Sequence, residues 1–492
     1  MAKLKDILYG VKLKAISGNR DREINGLTFD SRKVRPGDLF FAIRGLNSDG
    51  HDHLEQAVAQ GAVALLIEKK PQRNFSDDIA VIETDNCAKE LGVIADNFYD
   101  HPSKKLKLIG ITGTNGKTTS ATLLHSLFSA LGYQVGLMST VENIIGKTII
   151  PSHFTTPDVI TINELLVEMI AKGCQYVFME VSSHALVQER TSGLSFSGGV
   201  FTNLSHDHLD YHQSFDEYIK AKKILFDHLN EDAFALINAD DKRGKIMVQN
   251  TKSRVYKYGM KGYGDFTAKL LNNTFQGLEL DISGQNIWFQ LIGSFNAYNL
   301  LTAYAVATIL GEEAQEVLIQ LSQSSSARGR FEYVSNDHNI MAIVDYAHTP
   351  DALSNVLSTI DSLRTKNEQL ITVVGCGGNR DQENRPKMAS IAASYSDKVI
   401  LTSDNPRFES PETILDDMMK GISPIYHKKV MRVTDRREAI RVACNLASKT
   451  DVILVAGKGH EDYQDIQGKK VYFDDKEILM EMLKNHNAVS FL

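Results

Sequence analysis

The sequence contains few cysteines, and they show no pattern of a covalent framework. Only four occur in 492 residues, and none pairs with another in a CxxC motif; they are Cys87, Cys174, Cys376 and Cys444. Closely spaced, even-numbered cysteines are typical of small disulfide-stabilised secreted domains, which this spacing excludes. We therefore expect free thiols in a reducing compartment.

Long apolar segments and basic runs are also absent. No stretch approaches the roughly 18 apolar residues that a membrane-spanning helix requires, and lysines interrupt the first 21 residues before an export-length apolar core can form. The net charge is −7 without a long basic run, which argues against nucleic acid as the main partner. We expect a cytoplasmic monomer that acts on small molecules, without a membrane or nucleic-acid partner.

The length of the chain and its alternating strand and helix patterns indicate a large α/β protein. At 492 residues, 42% hydrophobic and 23% charged, the chain is long enough for about three domains with real cores. Apolar strands alternate with helical segments throughout, as in doubly wound parallel sheets that bind ligands at the carboxyl ends of their strands. A polar linker and a serine-rich, then basic, stretch predict domains over residues 1–100, 101–330 and 331–492.

The segment GITGTNGKTTSATLL (110–124) has the chemistry of a polyphosphate-binding loop. An apolar run precedes it and a helical pattern follows, so its main-chain amides can point at one anion, with Lys117 neutralising the outer phosphates. Thr118 or Thr119 can offer a hydroxyl to Mg²⁺. The strict GxxxxGK[ST] pattern is not met, because its first glycine would fall at Ile111.

Two further segments supply groups that suit a metal near a triphosphate. FMEVSSHAL (178–186) places Glu180 at a strand end, and NLSHDHLDYH (203–212) contributes His206, Asp207, His208, Asp210 and His212. A carboxylate and an imidazole can complete a Mg²⁺ shell, although a zinc site or a solvated turn would also fit the histidine-rich run. The next helix carries Lys220, Lys222 and Lys223, which composition alone places in solvent.

Ten motifs in order, covering essentially the whole chain, resemble the Mur ligase family. They are GTNGKTT, EVSSHAL, NLSHDHLDYH, YIKAKKILF, GSFNAYNLLTA, ARGRFE, VDYAHTPDAL, GCGGNRD, DNPR and GKGHE. The resemblance implies an N-terminal α/β UDP-binding domain, a central P-loop ATPase domain with a mostly parallel doubly wound sheet, and a C-terminal Rossmann-like α/β domain. It also implies ATP-dependent addition of an amino acid to a UDP-linked muramoyl peptide through an acyl phosphate, in peptidoglycan precursor synthesis.

Roles for individual residues follow from the resemblance alone. It implies that Lys117, Glu180, His208 and Lys222 are catalytic, and that Thr118, Glu180, His208 and a carbamylated Lys222 hold magnesium. The implied ATP contacts are Gly113, Thr114, Asn115, Gly116, Lys117, Thr118, Thr119, Asn296, Arg330 and Asp345. The implied contacts to the UDP-linked muramoyl dipeptide are Ser31, Arg32, Thr155, Thr156, Ser183 and Arg190.

The stretch SDNPRFESPE (403–412) bears on which amino acid is added. An arginine fork pairs bidentately with a carboxylate, and meso-diaminopimelate has a carboxylate at its far end whereas L-lysine has none. In the family, DNPR accompanies the members that add diaminopimelate. The implied amino-acid contacts are Arg380, Asp404, Asn405, Pro406, Arg407, Gly457 and Glu461.

Several alternatives are open on the sequence alone. L-lysine could be the added amino acid. Folylpolyglutamate synthetases share the ATPase core but would not need the roughly 100 residues that precede the phosphate loop. A P-loop ATPase switch would need an Asp-ended Walker B strand and an arginine supplied by a partner. A non-catalytic sensor of cell-wall precursors would be expected to lose Lys117, Glu180 or His208, and all three are present.

Overall fold

The computed structural model describes residues 2–45, 48–71, 75–152, 154–205, 209–212, 214–335, 340–365 and 367–485. Its contacts divide the chain into two compact units. The first holds residues 1–204, 208–258 and 263–265, and the second holds 205–207, 259–262 and 266–492.

The N-terminal part of the first unit is a small α/β layer. Its strands are β1 Ala2–Lys3, β2 Leu13–Ser17, β3 Glu23–Ile24, β4 Gly26–Thr28, β5 Asp38–Phe41, β6 Ala64–Ile67 and β7 Ala80–Thr84. Its helices are α1 Leu4–Ile7, α2 Leu54–Ala59 and α3 Cys87–Phe98, with 3-10 turns at Ser31–Lys33, Gly50–His53 and Pro102–Lys104. The sheet order is β2-β7-β6-β5-β4, antiparallel only at β2, and β1 pairs separately with β3.

The rest of the first unit is built on a mostly parallel sheet. Its strands are β8 Lys107–Thr112, β9 Val135–Met138, β10 Glu142–Ile145, β11 Thr148–Pro151, β12 Tyr176–Glu180, β13 Gly198–Phe201, β14 Phe234–Asn238 and β15 Arg254–Gly259. Its helices are α4 Lys117–Ala130, α5 Val159–Ala171, α6 Ser183–Val187, α7 Leu209–His212, α8 Phe215–Asp227 and α9 Gly244–Met247.

The strand order brings the loops that follow β8, β12 and β13 to one edge of the sheet. The order is β11-β10-β9-β12-β8-β13-β14-β15, parallel from β9 onward. In register, Glu180 of β12 lies opposite Ile111 of β8, and Phe201 of β13 lies opposite Thr112. The carboxyl ends of these central strands are therefore adjacent, where ligands bind in such sheets.

The second unit contains two main sheets. Its strands are β16 Phe266–Thr274, β17 Gly277–Ile282, β18 Gln285–Phe289, β19 Glu332–Ser335, β20 Met341–Asp345, β21 Leu370–Cys376, β22 Lys398–Ser403, β23 Val430–Arg432, β24 Val452–Ala456, β25 Tyr463–Ile466 and β26 Lys469–Tyr472. Its helices are α10 Ser294–Ile309, α11 Ala314–Ser322, α12 Pro350–Leu363, α13 Asn384–Tyr395, α14 Pro411–Met419, α15 Arg436–Leu446 and α16 Asp475–Asn485, with a 3-10 turn at Pro424–Lys429.

Strands β16, β17 and β18 pair antiparallel, whereas the larger sheet has the order β19-β20-β24-β21-β22-β23 with only β19 antiparallel. Hydrophobic cores cover both faces of this larger sheet, which explains why β21 and β24 are buried along their whole length and, apart from Thr372, contain no polar side chain. The carboxyl ends of β20, β24, β21 and β22 lie side by side.

These observations confirm the predicted mixed α/β class with parallel sheets. All four cysteines are buried and unpaired, as predicted. Among the described residues, no helix has the length and apolar character needed to cross a bilayer. The predicted boundaries at residues 100 and 330 stay predictions, because the contact units follow different limits.

Candidate active site

The phosphate-binding loop is a tight turn that glycine makes possible. Gly113 follows β8 with a φ of 151°, and Gly116 precedes α4 with a φ of 86°. A Cβ at position 113 would lie 1.9 Å from the Thr202 hydroxyl, which itself donates to the carbonyl of Asn115 at 2.6 Å. The loop therefore lies directly against the segment that follows β13, with no room for a side chain at 113.

Asn203 fixes the shape of this loop through three hydrogen bonds. Its carbonyl accepts from the N–H of Thr114 at 2.8 Å, and its side-chain oxygen accepts from the N–H of Asn115 at 3.0 Å. Its amide group also donates to the Asn115 carbonyl at 3.1 Å. Lys117 folds back over the loop, with Nζ donating to the carbonyls of Gly113 and Thr114 at 2.8 Å each. A cation thus lies beside an ordered main-chain turn, as a phosphate cradle requires.

A hydroxyl and a carboxylate meet at the first turn of α4. The Thr118 hydroxyl donates to Oε2 of the fully buried Glu180 at 3.0 Å. Thr140, which sequence reasoning did not identify, donates its N–H to Glu180 Oε1 at 2.7 Å and its hydroxyl to Oε2 at 3.2 Å. These oxygen donors are of the kind that Mg²⁺ prefers.

The histidine-rich run is only partly described. His206, Asp207 and His208 lie outside the described residues, so the structure does not place the predicted ligand His208. Within the described ranges, no group of three or more His, Cys, Asp or Glu side chains has the arrangement of a metal site. His212 is buried, and its Nε2 lies 2.8 Å from the Ser183 hydroxyl.

Lys222 lies beneath the phosphate loop. It is 1% exposed, its Nζ donates to the Gly113 carbonyl at 2.8 Å, and it lies 4.6 Å from the centre of the Tyr218 ring. Composition alone placed Lys220, Lys222 and Lys223 in solvent. That expectation is correct for Lys220, which is exposed. It is wrong for Lys222, which lies on the buried face of α8, and for Lys223, which is also buried and pairs with Asp227.

The predicted muramoyl-peptide residues gather near the end of β12. The Thr156 hydroxyl donates to the Glu180 carbonyl at 2.8 Å, and Arg190 donates to the Thr156 carbonyl at 2.8 Å. Thr155 accepts from the Thr140 hydroxyl at 3.1 Å. Gln188 was missed by sequence reasoning, although it accepts from Arg190 at 2.6 Å and donates to the Tyr211 hydroxyl at 3.1 Å.

Ser31 and Arg32 lie in the 3-10 turn between β4 and β5 of the N-terminal α/β layer. The Ser31 hydroxyl donates to Gln56 at 3.0 Å, and the exposed Arg32 pairs with Asp30 at 2.9 Å. These two contacts stay within residues 30–56 and do not involve the phosphate loop. The structure therefore places them in a separate part of the first unit.

The second unit holds the remaining predicted ATP contacts. Asn296 is buried at the start of α10, where its amide donates to the Ile292 carbonyl at 2.8 Å. Asp345 accepts from the N–H groups of Phe331 and Ala347 at 2.7 and 2.8 Å. Burial raises the pKa of Asp345, and the neighbouring Arg330 cation opposes that rise. Arg330 lies over the Tyr346 ring at 4.7 Å.

The predicted amino-acid residues form one network at the carboxyl edge of the large sheet. Asn405 donates from Nδ2 to Glu461 Oε2 at 2.7 Å, and Lys458 donates to both residues at 3.1 and 3.2 Å. Gly457 has a φ of 118°, and a Cβ there would lie 2.7 Å from Asp404 Oδ2. Lys458 was not identified by sequence reasoning, although GKGHE contains it.

Hydrogen bonds to main-chain atoms fix the position of Arg407. Its φ is 51°, its N–H donates to the Asp465 carbonyl at 2.9 Å, and its Nη1 donates to the Gly378 carbonyl at 2.7 Å. The Gly378 N–H in turn donates to the Asn405 carbonyl at 2.9 Å. Arg380 is exposed at the same edge. The edge thus holds two arginine cations and the Glu461 carboxylate, a combination of charges that can bind a zwitterion.

Three family models match most of the chain. The Mur ligase family catalytic domain matches residues 23–99, the Mur ligase middle domain matches 111–307, and the Mur ligase glutamate ligase domain matches 329–459. These matches and the sheets described above confirm the predicted three-domain α/β fold class.

Similar proteins extend over the full length. The UDP-N-acetylmuramoyl-L-alanyl-D-glutamate–2,6-diaminopimelate ligase of Cytophaga hutchinsonii is 55% identical, covering 98% of this chain and 99% of that one. The protein of the same name from Bacteroides fragilis is 50% identical with the same coverage. A solved structure of a ligase with that name is 31% identical, covers 99% of both chains and has a TM-score of 0.69. The chain therefore belongs to the Mur ligase family.

Proposed function

We propose that this chain is an ATP-dependent amide ligase that adds meso-2,6-diaminopimelate to UDP-MurNAc-L-Ala-D-Glu. The observation that carries the proposal is the edge of the large sheet, where Asn405 donates to Glu461 and Arg407 follows Asn405 by two residues. An arginine fork and a carboxylate there match the carboxylate and ammonium at the far end of diaminopimelate. Relatives that are 50 and 55% identical over the full length carry the name of this activity, which does not favour the L-lysine alternative.

The chemistry begins with a carboxylate, which is a poor electrophile. An oxygen of the D-glutamyl carboxylate attacks the γ-phosphorus of ATP, giving an acyl phosphate and ADP. The neutral amine of the amino acid then attacks the acyl carbon, loses a proton, and expels inorganic phosphate as the amide forms. The protein contributes positioning and charge neutralisation, the main sources of catalysis in phosphoryl transfer.

The first unit supplies the phosphate-handling groups in this proposal. The loop Gly113–Thr114–Asn115–Gly116 presents its amides to the nucleotide, Lys117 neutralises the β- and γ-phosphates, and Thr119 lies in the following helical turn. Mg²⁺ would be held by Thr118, Glu180, His208 and Lys222 as a carbamate, and it would supply charge stabilisation at the transferred phosphoryl group. The Thr118–Glu180 oxygen pair supports this assignment.

Other residues select the remaining parts of the substrates. Asn296, Arg330 and Asp345 are the further nucleotide contacts that the family resemblance gives. The UDP-linked dipeptide is bound by Ser31, Arg32, Thr155, Thr156, Ser183 and Arg190. The amino acid is bound by Arg380, Asp404, Asn405, Pro406, Arg407, Gly457 and Glu461, with Glu461 facing its distal ammonium. The protein would act as a cytoplasmic monomer on these small molecules.

A phosphate-release assay tests the proposal. Purified protein receives ATP, Mg²⁺ and UDP-MurNAc-L-Ala-D-Glu, with meso-diaminopimelate, L-lysine or L-ornithine as the amine. We expect release with meso-diaminopimelate to exceed the other two by at least about 100-fold in catalytic efficiency, because a desolvated arginine without its carboxylate is costly. A preference for L-lysine would contradict the proposal.

A further inference from the structure

Lys458 is a buried lysine to which the proposed function gives no role. It follows β24 and is 0% exposed. It lies between Gly457 and Gly459, whose φ values of 118° and 53° belong to the left-handed side. Glycine adopts this conformation without the penalty that other residues incur, so the turn that carries the buried lysine forms without strain at these two positions. Its Nζ ends among the amino-acid residues rather than in solvent.

The lysine fixes the orientation of the Asn405 amide. Asn405 Oδ1 accepts two hydrogen bonds, from Lys458 Nζ at 3.1 Å and from the N–H of Asp465 at 2.9 Å. Its Nδ2 donates to Glu461 Oε2 at 2.7 Å. A flipped amide would turn its NH₂ group toward two donors and its oxygen toward a carboxylate, so only one orientation is satisfied.

The same lysine holds one end of the Glu461 carboxylate. Oε2 accepts from Lys458 at 3.2 Å and from Asn405, whereas no described residue donates to Oε1. The Lys458 cation and the Glu461 anion compensate one another, which a buried lysine requires. The carboxylate is thereby held by Oε2, and Oε1 is left for a donor that none of the described residues supplies.

We propose that Lys458 is a positioning residue for the amino-acid substrate. It acts through Asn405 and Glu461, holding the carboxylate so that Oε1 receives the distal ammonium of diaminopimelate, and it does not itself touch the substrate. This inference rests on the proposed function and deepens it, because it assigns substrate recognition to a network rather than to single contacts.

The test compares Lys458→Met with the parent enzyme in the three-substrate assay. We expect the KM for meso-diaminopimelate to rise by at least about tenfold, since charge-assisted hydrogen bonds that orient the site are lost. The KM values for ATP and the UDP-linked dipeptide should stay within about twofold. Lys429→Met is the matched control: that lysine also donates to a carbonyl, of Ser396 at 2.6 Å, and lies over a tyrosine ring at 4.4 Å, but outside this network.

A double-mutant cycle with Glu461→Gln separates positioning from general destabilisation. If Lys458 acts through Glu461, adding Lys458→Met to Glu461→Gln should change the KM for diaminopimelate by less than about threefold. Fully additive effects would overturn the proposal, as would an unchanged KM in the single variant. Lys458→Gln, which keeps a shorter N–H donor, provides a second variant with the same expectation should Lys458→Met not fold.

The parent enzyme provides the reference that separates the two claims. If it shows no turnover that depends on diaminopimelate, the proposed function fails. If it turns over but Lys458→Met behaves like Lys429→Met, the proposed function stands and the role of Lys458 is refuted.

Discussion

Arg407 is held by main-chain atoms, which leaves its charge for a ligand. Its N–H and carbonyl bond to Asp465 and Gln467, and its guanidinium bonds to the Gly378 carbonyl. No Asp or Glu forms an ion pair with it in the described part of the chain. A cation held in this way suits recognition of a substrate carboxylate, because the arginine side chain is already ordered and loses little conformational entropy when the substrate binds.

We expect Arg407→Lys to lower catalytic efficiency with meso-diaminopimelate by about 100-fold, because an ammonium is a point charge that cannot replace the bidentate fork. Steady-state kinetics with diaminopimelate and L-lysine would measure it, and the efficiency with L-lysine should fall much less. Arg432→Lys is the control, since that arginine forms a partly exposed pair with Asp416 at 2.7 Å. Equal losses with both amines would contradict the assigned role.

Lys222 gives a second prediction at the scale of one side chain. If it is carbamylated, enzyme equilibrated with ¹³C-bicarbonate should show one carbamate carbon signal by NMR, and Lys222→Arg should lose both that signal and at least about 99% of activity, because a metal ligand is removed. Lys223→Arg, at the adjacent buried lysine, should keep the signal. A signal that persists in Lys222→Arg would place the modification elsewhere.

The burial of Lys222 could have been predicted from the sequence. Tyr218, Ala221, Leu225 and Phe226 are the buried stripe of α8, and Lys222 follows Tyr218 by four residues. Such spacing places a residue on the apolar face of a helix. Lysine's usual preference for solvent outweighed this periodicity in the composition argument. No sequence pattern indicates a role for Lys458, because its contacts involve segments that are distant in sequence and come together only in the folded protein.

At the scale of elements, the turn between β8 and α4 combines a rare main-chain conformation with close packing. We expect Gly113→Ala to lower the free energy of unfolding by about 3 kcal/mol, from the left-handed φ and the clash with Thr202, and to abolish ATP-dependent turnover. Chemical denaturation and the phosphate assay would measure the two effects.

Gly132→Ala is the matched control for that change. Gly132 also has a positive φ, of 95°, but a Cβ there meets nothing within 4 Å. We expect it to cost only about 1 kcal/mol and to keep activity. Similar losses in both variants would mean that main-chain strain, rather than contact with Thr202, dominates at Gly113.

Helix α4 also contains a histidine whose burial makes stability depend on pH. Burial lowers the pKa of His125 to about 4, and its Nε2 has no hydrogen-bond partner among the described residues. Above about pH 6.5 the side chain is neutral in both states. Between about pH 6.5 and 4 only the unfolded chain takes up the proton, so folded stability falls as the pH falls, by up to about 3 kcal/mol.

We expect His125→Leu to remove this part of the acid sensitivity, because leucine does not titrate. Urea midpoints measured from pH 7.5 to 4.5 should fall less steeply in the variant than in the parent, with the difference between them growing below about pH 6.5. Parallel curves for the two proteins would show that His125 is not buried as a neutral side chain.

Regular elements differ in how well the sequence predicts them. The parallel strands β8, β12, β20 and β21 are buried on both faces from their second residue onward. Apart from Gly110 and Thr372, their buried residues form apolar runs that end in polar or glycine residues. The antiparallel strands β16 to β18 have mixed exposure, and their sequences show no continuous apolar run. Pairing order depends on partners distant in sequence, which local patterns do not specify.

At the scale of the whole molecule, the proposed chemistry couples two reactions. Phosphoryl transfer from ATP produces an acyl phosphate, and only the amine converts it to a stable amide. Catalysis of this kind depends on excluding water from the reactive intermediate. The proposed phosphate, muramoyl-peptide and amino-acid sites together imply that ATP is consumed as the peptide bond forms.

We therefore expect ATP turnover to require all substrates together. Phosphate release with ATP and UDP-MurNAc-L-Ala-D-Glu but no amine should stay below about 1% of the complete rate, because water is a much poorer acceptor in a site arranged for an amine. Mass spectrometry should find one lengthened muramoyl peptide per phosphate released in the complete mixture, and Lys117→Ala should abolish both products. Equal phosphate release with and without the amine, and no lengthened peptide, would show instead an ATPase whose energy serves another purpose.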